Sequence, residues 1–206
     1  MSTTPQTDTI HAATPDLRRY WAQRIDGNGV WRTPRAGGKP MQPPGEDLAV
    51  LRSGLGRPAG TVHKLWRFYT SPVDGRVTSE LEAEHAALAL YGLHQQSQSR
   101  PMHKPGVHVG TALRTLYRSK RFGEEAVDLR VAAAVQASSV TALVYRLRGL
   151  VTQLRSVEQP FDYDRLLQDI KRFDHPESRQ RVRRDWGLAY HARSTRGDKE
   201  PPVTAL

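Results

Sequence analysis

The chain has 206 residues, 37% of them hydrophobic, which allows one substantial core or two small ones and demands no more. Its 31 Lys and Arg outnumber 21 Asp and Glu for a formal charge of +10, a balance typical of nucleic-acid binders, and the lack of cysteine excludes disulfides and thiolate metal sites. No stretch approaches the ~20 apolar residues of a membrane span, and the opening MSTTPQTDTIHAATPD lacks the basic and apolar regions of an export signal, so a cytoplasmic protein without membrane contact is expected.

Residues 1–14 are polar, Thr-rich and patternless, and read as a disordered leader. A first helix is expected from Pro15, capped by Thr14, with Leu17, Tyr20, Trp21 and Arg24 at helical spacing and an end at Gly27. Residues 27–45 are rich in Gly and Pro and read as a long loop, pinned to the body by Trp31. In GEDLAVLRSGLG a short helix puts Leu48, Leu51 and Leu55 on one side, with Arg52 beside that face and a stop at Gly56. Val62, Leu65, Trp66 and Tyr69 recur at i, i+3, i+4 and i+7, which predicts a further helical piece with those four turned inward. Thr78–Gln95 is the clearest helix, with Leu81, His85, Leu88 and Gly92 in one line where small residues admit a close neighbour.

After a proline-marked connector, residues 96–106, the segment GVHVGTALRTLYRSKR carries no acid. A helix through Gly106–Arg121 sets Arg114, Arg118 and Arg121 on one positive stripe, with Lys120 among them, and Val109, Leu113, Leu116 and Tyr117 on an apolar one. A second domain is expected from about Gly123, with helices over 124–136 and 139–156; Arg148 and Arg155 share a flank of the latter. Asp162 suits the cap of a helix carrying Tyr163, Leu166, Leu167 and Ile170, and a last helix from Pro176 turns Val182, Trp186 and Ala189 inward. The tail, 194–206, is polar. No alternating strand pattern occurs, so the fold class is all-α, about nine helices, with an N-terminal domain at 15–122 and a C-terminal bundle at 123–193.

Catalytic and metal patterns are incomplete along the whole chain. Glu82-x-x-His85 has di-metal spacing but lacks the second such motif a carboxylate bundle needs, so His85 reads as a structural histidine. His103 and His108 match no zinc spacing, and Gly37-Gly38-Lys39-Pro40 lacks the first glycine and the hydroxyl of a phosphate loop. The expectation is a non-enzyme with no metal and no cofactor.

Placement of charge points elsewhere. Between residues 100 and 155 ten bases (Arg100, Lys104, Arg114, Arg118, Lys120, Arg121, Arg130, Arg146, Arg148 and Arg155) face three acids, Glu124, Glu125 and Asp128. A second basic zone holds Arg179, Arg181, Arg183, Arg184 and Arg193 against Glu177 and Asp185. An unbalanced ridge repels itself, and an extended polyanion relieves that repulsion. Arginine dominates lysine in both zones, which favours bidentate contact with phosphate and backbone tracking over base reading.

Several stretches taken in order resemble CasB, the small-subunit family of the type I-E CRISPR surveillance complex Cascade. They are Leu48-Ala49-Val50-Leu51-Arg52-Ser53-Gly54, Ala86 to His94, Val109-Gly110-Thr111-Ala112-Leu113, Leu147-Arg148-Gly149-Leu150-Val151, Asp162-Tyr163-x-x-Leu166-Leu167-x-Asp169-Ile170 and Val182-Arg183-x-x-Trp186. The resemblance covers roughly residues 46–192. It implies two packed helical bundles and a non-catalytic subunit partnered with other Cascade subunits, guide RNA, target and displaced DNA strands, and a second copy of itself, which helps hold an R-loop open. An alternative is a protein-interaction or guide-RNA-contacting subunit with no DNA contacts of its own. It further implies basic contacts at Arg52 and Arg148 and at Arg179 and Arg181, in the run before the terminal Trp helix; Ser53 stands where the family often has a second arginine. With the two zones, the expected nucleic-acid-binding set is Arg52, Arg114, Arg118, Lys120, Arg121, Arg148, Arg155, Arg179 and Arg181.

Overall fold

The computed structural model describes residues 18–34, 37–72 and 75–192; the expected leader and tail, and the Thr14 cap with Pro15, lie outside them. Among the described residues there are eight α-helices and one 3-10 helix and no strand, only two isolated bridges, Ile25 with Trp31 and His103 with Phe161. The helices are α1 (Tyr20–Gln23), α2 (Gly45–Arg52), the 3-10 helix (His63–Phe68), α3 (Ser79–Gln95), α4 (Val109–Arg118), α5 (Glu124–Val135), α6 (Val140–Ser156), α7 (Tyr163–Phe173) and α8 (Pro176–His191). Helices α2, α6 and α7 pack on α3, while α4 packs on α5, α6 and α8. One buried apolar cluster runs continuously through both halves of the chain.

Local chemistry explains most of the helix starts. Thr78, Ser139 and Asp162 accept backbone N–H groups of the first turns of α3, α6 and α7, and Pro176 occupies the first position of α8, where its missing donor costs nothing. The expected first helix is cut to one turn. Asp26 accepts from the backbone of Asn28 and Val30, and Asp26 N–H donates to the Val30 carbonyl, so a side-chain-closed turn outcompetes further helix. Trp31 donates its indole N–H to the Ser99 carbonyl at 2.7 Å, tying the Gly/Pro-rich loop to the body as expected.

Helix α3 is buried on nearly every side, polar residues included. Each of those polar groups needs a partner. Glu84 receives the backbone N–H groups of Thr70 and Ser71, the Thr70 hydroxyl and the Arg19 guanidinium, all at 2.6 to 2.8 Å. His85 donates from Nε2 to the Gly54 and Arg57 carbonyls and accepts at Nδ1 from the Tyr69 hydroxyl, the structural role expected of it. Gln95 holds the 96–102 connector through the Gln98 and Arg100 carbonyls and the Met102 N–H.

Two glycines set helix approach. A Cβ on Gly92 would lie 2.6 Å from Leu51 Cβ, so the small residue foreseen on α3 admits α2. A Cβ on Gly110 would lie 2.5 Å from the Trp186 carbonyl oxygen and 2.7 Å from Ala189 Cβ, so α4 meets α8 backbone to backbone. Gly110→Ala is therefore expected to destabilise by about 1–3 kcal/mol, overpacking outweighing the better helix propensity of alanine. Gly149→Ala in α6, where the new methyl meets nothing within 4 Å, is expected to stabilise by about 1 kcal/mol. Urea midpoints of the two variants check the pair; equal shifts would refute the close crossing.

Two expectations need correction. The sequence spacing turns Trp66 inward, yet it is 56% exposed and Phe68 takes the core. The reason is helix type: with three residues per turn, Val62, Leu65 and Phe68 align, and the spacing read as 3.6-period does not apply. The basic helix also stops early. Helix α4 ends at Arg118, Lys120 is left-handed at φ 52°, and Arg121 lies beyond the helix, so the three arginines do not form a single stripe.

Candidate nucleic-acid interface

The apolar face of α4 (Val109, Ala112, Leu113, Leu116) is fully buried and Gly110 locks it to α8, so the opposite face is fixed in space. Arg114, half-buried, and Arg118, exposed, stand one turn apart there, and among the described residues neither guanidinium has a hydrogen-bond or ion-pair partner. Lys120 is exposed just past the helix end and likewise lacks one. Arg148 on α6 and Arg181 on α8 are exposed and unpaired among the described residues. The half-buried Arg52 closes α2.

The remaining three expected residues have backbone partners. Arg121 donates to the Ser156 carbonyl at 2.7 Å, Arg155 to the Leu93 carbonyl at 3.2 Å and Gln96 Oε1 at 3.0 Å, and Arg179 to the Phe173 carbonyl at 2.8 Å. Arg146 and Arg183 do the same for the Ala133 and Ala137 carbonyls. Except at Ala137, which lies just past the end of α5, the guanidinium satisfies an orphan carbonyl in the last turn of another helix, where the helix dipole also favours positive charge. Part of the surplus of arginine over acid thus serves helix ends rather than acids.

The tertiary arrangement gathers some of these groups. Arg52 and Arg155 both reach the last turn of α3, the first by its backbone beside Gly92 and the second through Leu93, and Arg121 docks on Ser156, next to Arg155. Tyr117 points its hydroxyl to Glu124 Oε2 at 3.0 Å, and that hydrogen bond raises its pKa. A separate cleft on α7 is lined by Arg19, Asp164, Arg165, Gln168 and Arg172. Arg165 and Arg172 were not anticipated, although their seven-residue spacing puts them on one helix flank; Arg19 in the cleft is already committed to Glu80 and Glu84.

One group of metal-capable side chains exists among the described residues, His103 with Asp162 and Asp164. Its donors are employed in folding. His103 Nδ1 accepts the Tyr163 N–H, Asp162 caps α7 and accepts the Gly106 N–H, and Asp164 accepts the Trp21 indole N–H. No described helix is long and apolar enough to cross a membrane.

Comparison with known proteins gives the lineage. The family model described as CRISPR-associated protein Cse2 matches residues 47–191. No curated protein sequence matches the chain. The crystal structure of CasB from Thermobifida fusca is similar at 35% identity over 72% of this chain and 85% of that one, with a TM-score of 0.59. A Cse2-family protein from Thermus thermophilus is similar at 25% identity over 70% of this chain and 84% of that one (TM-score 0.55). A chain of a CRISPR RNA-guided surveillance complex shares the fold at 22% identity over 71% of this chain and 82% of that one (TM-score 0.57). The family model spans most of α2 and all of α3 to α8, well over half of the chain, and this chain belongs to the CRISPR-associated Cse2 family.

Proposed function

We propose that the chain is a non-catalytic subunit of an RNA-guided CRISPR interference complex that holds DNA without sequence preference and stabilises the R-loop, including the displaced strand. Membership of the Cse2 family and likeness to a chain of a surveillance complex support the assembly. The observation that carries the DNA reading is the pair Arg114 and Arg118, without partners among the described residues, on a helix whose other face is buried and locked. Because the helix that carries the pair is held, only the two side chains are ordered when they meet phosphates, and nothing about the pair reads bases. Because exchanging a DNA duplex for a guide heteroduplex is nearly balanced energetically, a few such contacts are enough to tip R-loop formation. Arg148, Arg181, Lys120 and Arg52 extend the surface, and Arg121, Arg155 and Arg179 add charge while holding carbonyls. The other Cascade subunits, guide RNA and a second copy of the chain are its proposed partners.

Arg114→Ala combined with Arg118→Ala is expected to weaken the R-loop in the assembled complex with helical content unchanged. It is also expected to lower the log–log salt slope for single-stranded DNA by about 1.4, two phosphates' worth. A normal R-loop with normal assembly would remove this ridge from the site. The second reading, a subunit facing proteins or guide RNA only, is favoured by the exposed Leu129 (65%) and Tyr145 (77%) on α5 and α6. A flat salt dependence of DNA binding by the isolated protein would select it.

A further inference from the structure

The 3-10 helix His63–Phe68 sorts its residues into three columns because side chains three apart eclipse. Val62, Leu65 and Phe68 enter the core. His63 and Trp66 form a second, exposed column, their ring centroids 4.9 Å apart, with Trp66 56% exposed. Lys64 and Arg67 form the third, also exposed.

The aromatic column is fixed in place. Trp66 donates its indole N–H to the Gly60 carbonyl at 2.8 Å, and Gly60, at φ 79°, sits in a turn closed by Thr61 on the Pro58 carbonyl and by the Gly60 N–H on the Tyr69 hydroxyl. With its one polar group consumed internally, the indole offers solvent only π surface. Covering a large exposed aromatic face removes apolar surface from water and is favourable. The neighbouring column says what would cover it: Lys64 has no partner among the described residues, Arg67 shares Asp47 with Arg24, and no acid occurs in the sequence from Glu46 and Asp47 to Asp74.

We infer that this helix is a stacking ledge for single-stranded DNA: an unpaired base lies on Trp66 beside His63, and the flanking phosphates lie along Lys64 and Arg67. Aromatic and cationic columns side by side meet the two chemistries that alternate along a single strand, and an indole whose one donor is already engaged stacks on every base alike. The inference rests on the single-strand reading above but uses a different surface from α4.

The test is equilibrium binding of the full-length protein to an oligo-dT of about twelve nucleotides and to an abasic strand of the same length, with tryptophan emission as a second readout. Oligo-dT is expected to quench emission from the wild type and not from Trp66→Ala. That variant should bind oligo-dT about 5- to 100-fold more weakly, while its abasic-strand affinity is unchanged. Trp66→Phe, which keeps a ring, is expected to recover part of the loss, and an unchanged thermal midpoint confirms that folding is intact. Equal affinity of wild type and Trp66→Ala for oligo-dT overturns the ledge, as does equal wild-type affinity for the two strands or a variant defect confined to capture by other complex subunits. The Arg114→Ala/Arg118→Ala protein run in parallel separates the two surfaces: its loss on both strands alongside an unaffected Trp66→Ala leaves α4 standing and the ledge refuted, and the reverse pattern refutes α4 alone.

Discussion

Glu84→Ala is expected to destabilise the protein by about 3–5 kcal/mol, the range for stranding partners of a buried charge. The carboxylate is fully buried and accepts at least four donors at once, two of them the backbone N–H groups of Thr70 and Ser71, with the Ser71 side chain also bonded to it. Burial by itself would raise its pKa, but the hydrogen bonds from Ser71, Thr70 and Arg19 outweigh burial and hold it below the usual carboxylate range. Glu84→Gln is no remedy, since each carboxylate oxygen faces an N–H and an amide must turn its own donors toward one of them. The Arg19 guanidinium also binds Glu80, which Lys171 of α7 shares at 2.9 Å, so the network fastens the segment before α1, the 70–71 turn and α7 to α3. For a chain of this size the expected fall in thermal midpoint is roughly 6–20 °C. Arg19→Ala, which leaves the carboxylate its backbone donors, is expected to cost less, and the double variant no more than Glu84→Ala alone. A midpoint within about 2 °C of wild type for Glu84→Ala would show that the network is not what holds these elements.

Acid is expected to unfold the protein through its buried histidines, His94 above all. This side chain is completely buried, stacked on Phe161 with centroids 5.0 Å apart, and its Nδ1 meets the Tyr163 hydroxyl, which itself donates to the Leu90 carbonyl. Nδ1 therefore carries the proton, and among the described residues Nε2 makes no well-formed hydrogen bond. Burial, with the Arg155 guanidinium adding to it, pushes its pKa down to about 3, against an opposing contact from the Gln159 backbone. Burial also lowers His85 and His103, the latter against the nearby Asp164 and Asp162. The unfolded chain binds these protons from about pH 6.5 downward and the folded chain does not, so stability is complete above that pH and falls as pH drops. His94 alone contributes a slope of about 1.4 kcal/mol per pH unit down to about pH 3. Below about pH 4.5 the lowered carboxylate of Glu84 steepens the loss. Urea unfolding of wild type and His94→Leu between pH 4 and pH 7 checks this: the variant's slope should be shallower by nearly one proton, and parallel curves would refute the assignment.

The folding pattern that sequence revealed is the local part. The Asp162 cap and the proline of α8 act within one turn, so those helix starts were read from neighbours in the chain, while Thr78 and Ser139, read as first helical residues, are the caps one position earlier. The same holds for the all-helical class and for the motif order that pointed to the family. Helical phase was less secure where the helix type changed. Trp66 and Phe68 exchange inside and outside because a three-residue turn replaces the 3.6-residue one, and Arg121 leaves the ridge because α4 stops at Arg118.

The candidate site divides in the same way. Sequence by itself determined that arginine is in excess on α4, α6 and α8 and that no acid on α4 balances it. Only the tertiary structure decided which guanidiniums are committed, since the carbonyls that engage Arg121, Arg155 and Arg179 belong to α6, α3 and α7 and come within 3.2 Å through packing. It also decided that Gly110 is a contact point rather than a weak spot in a helix, and which helix meets the close approach foreseen at Gly92. A cap or a charge count is a property of adjacent residues, whereas a partner supplied from another helix exists only once the core has brought the two together.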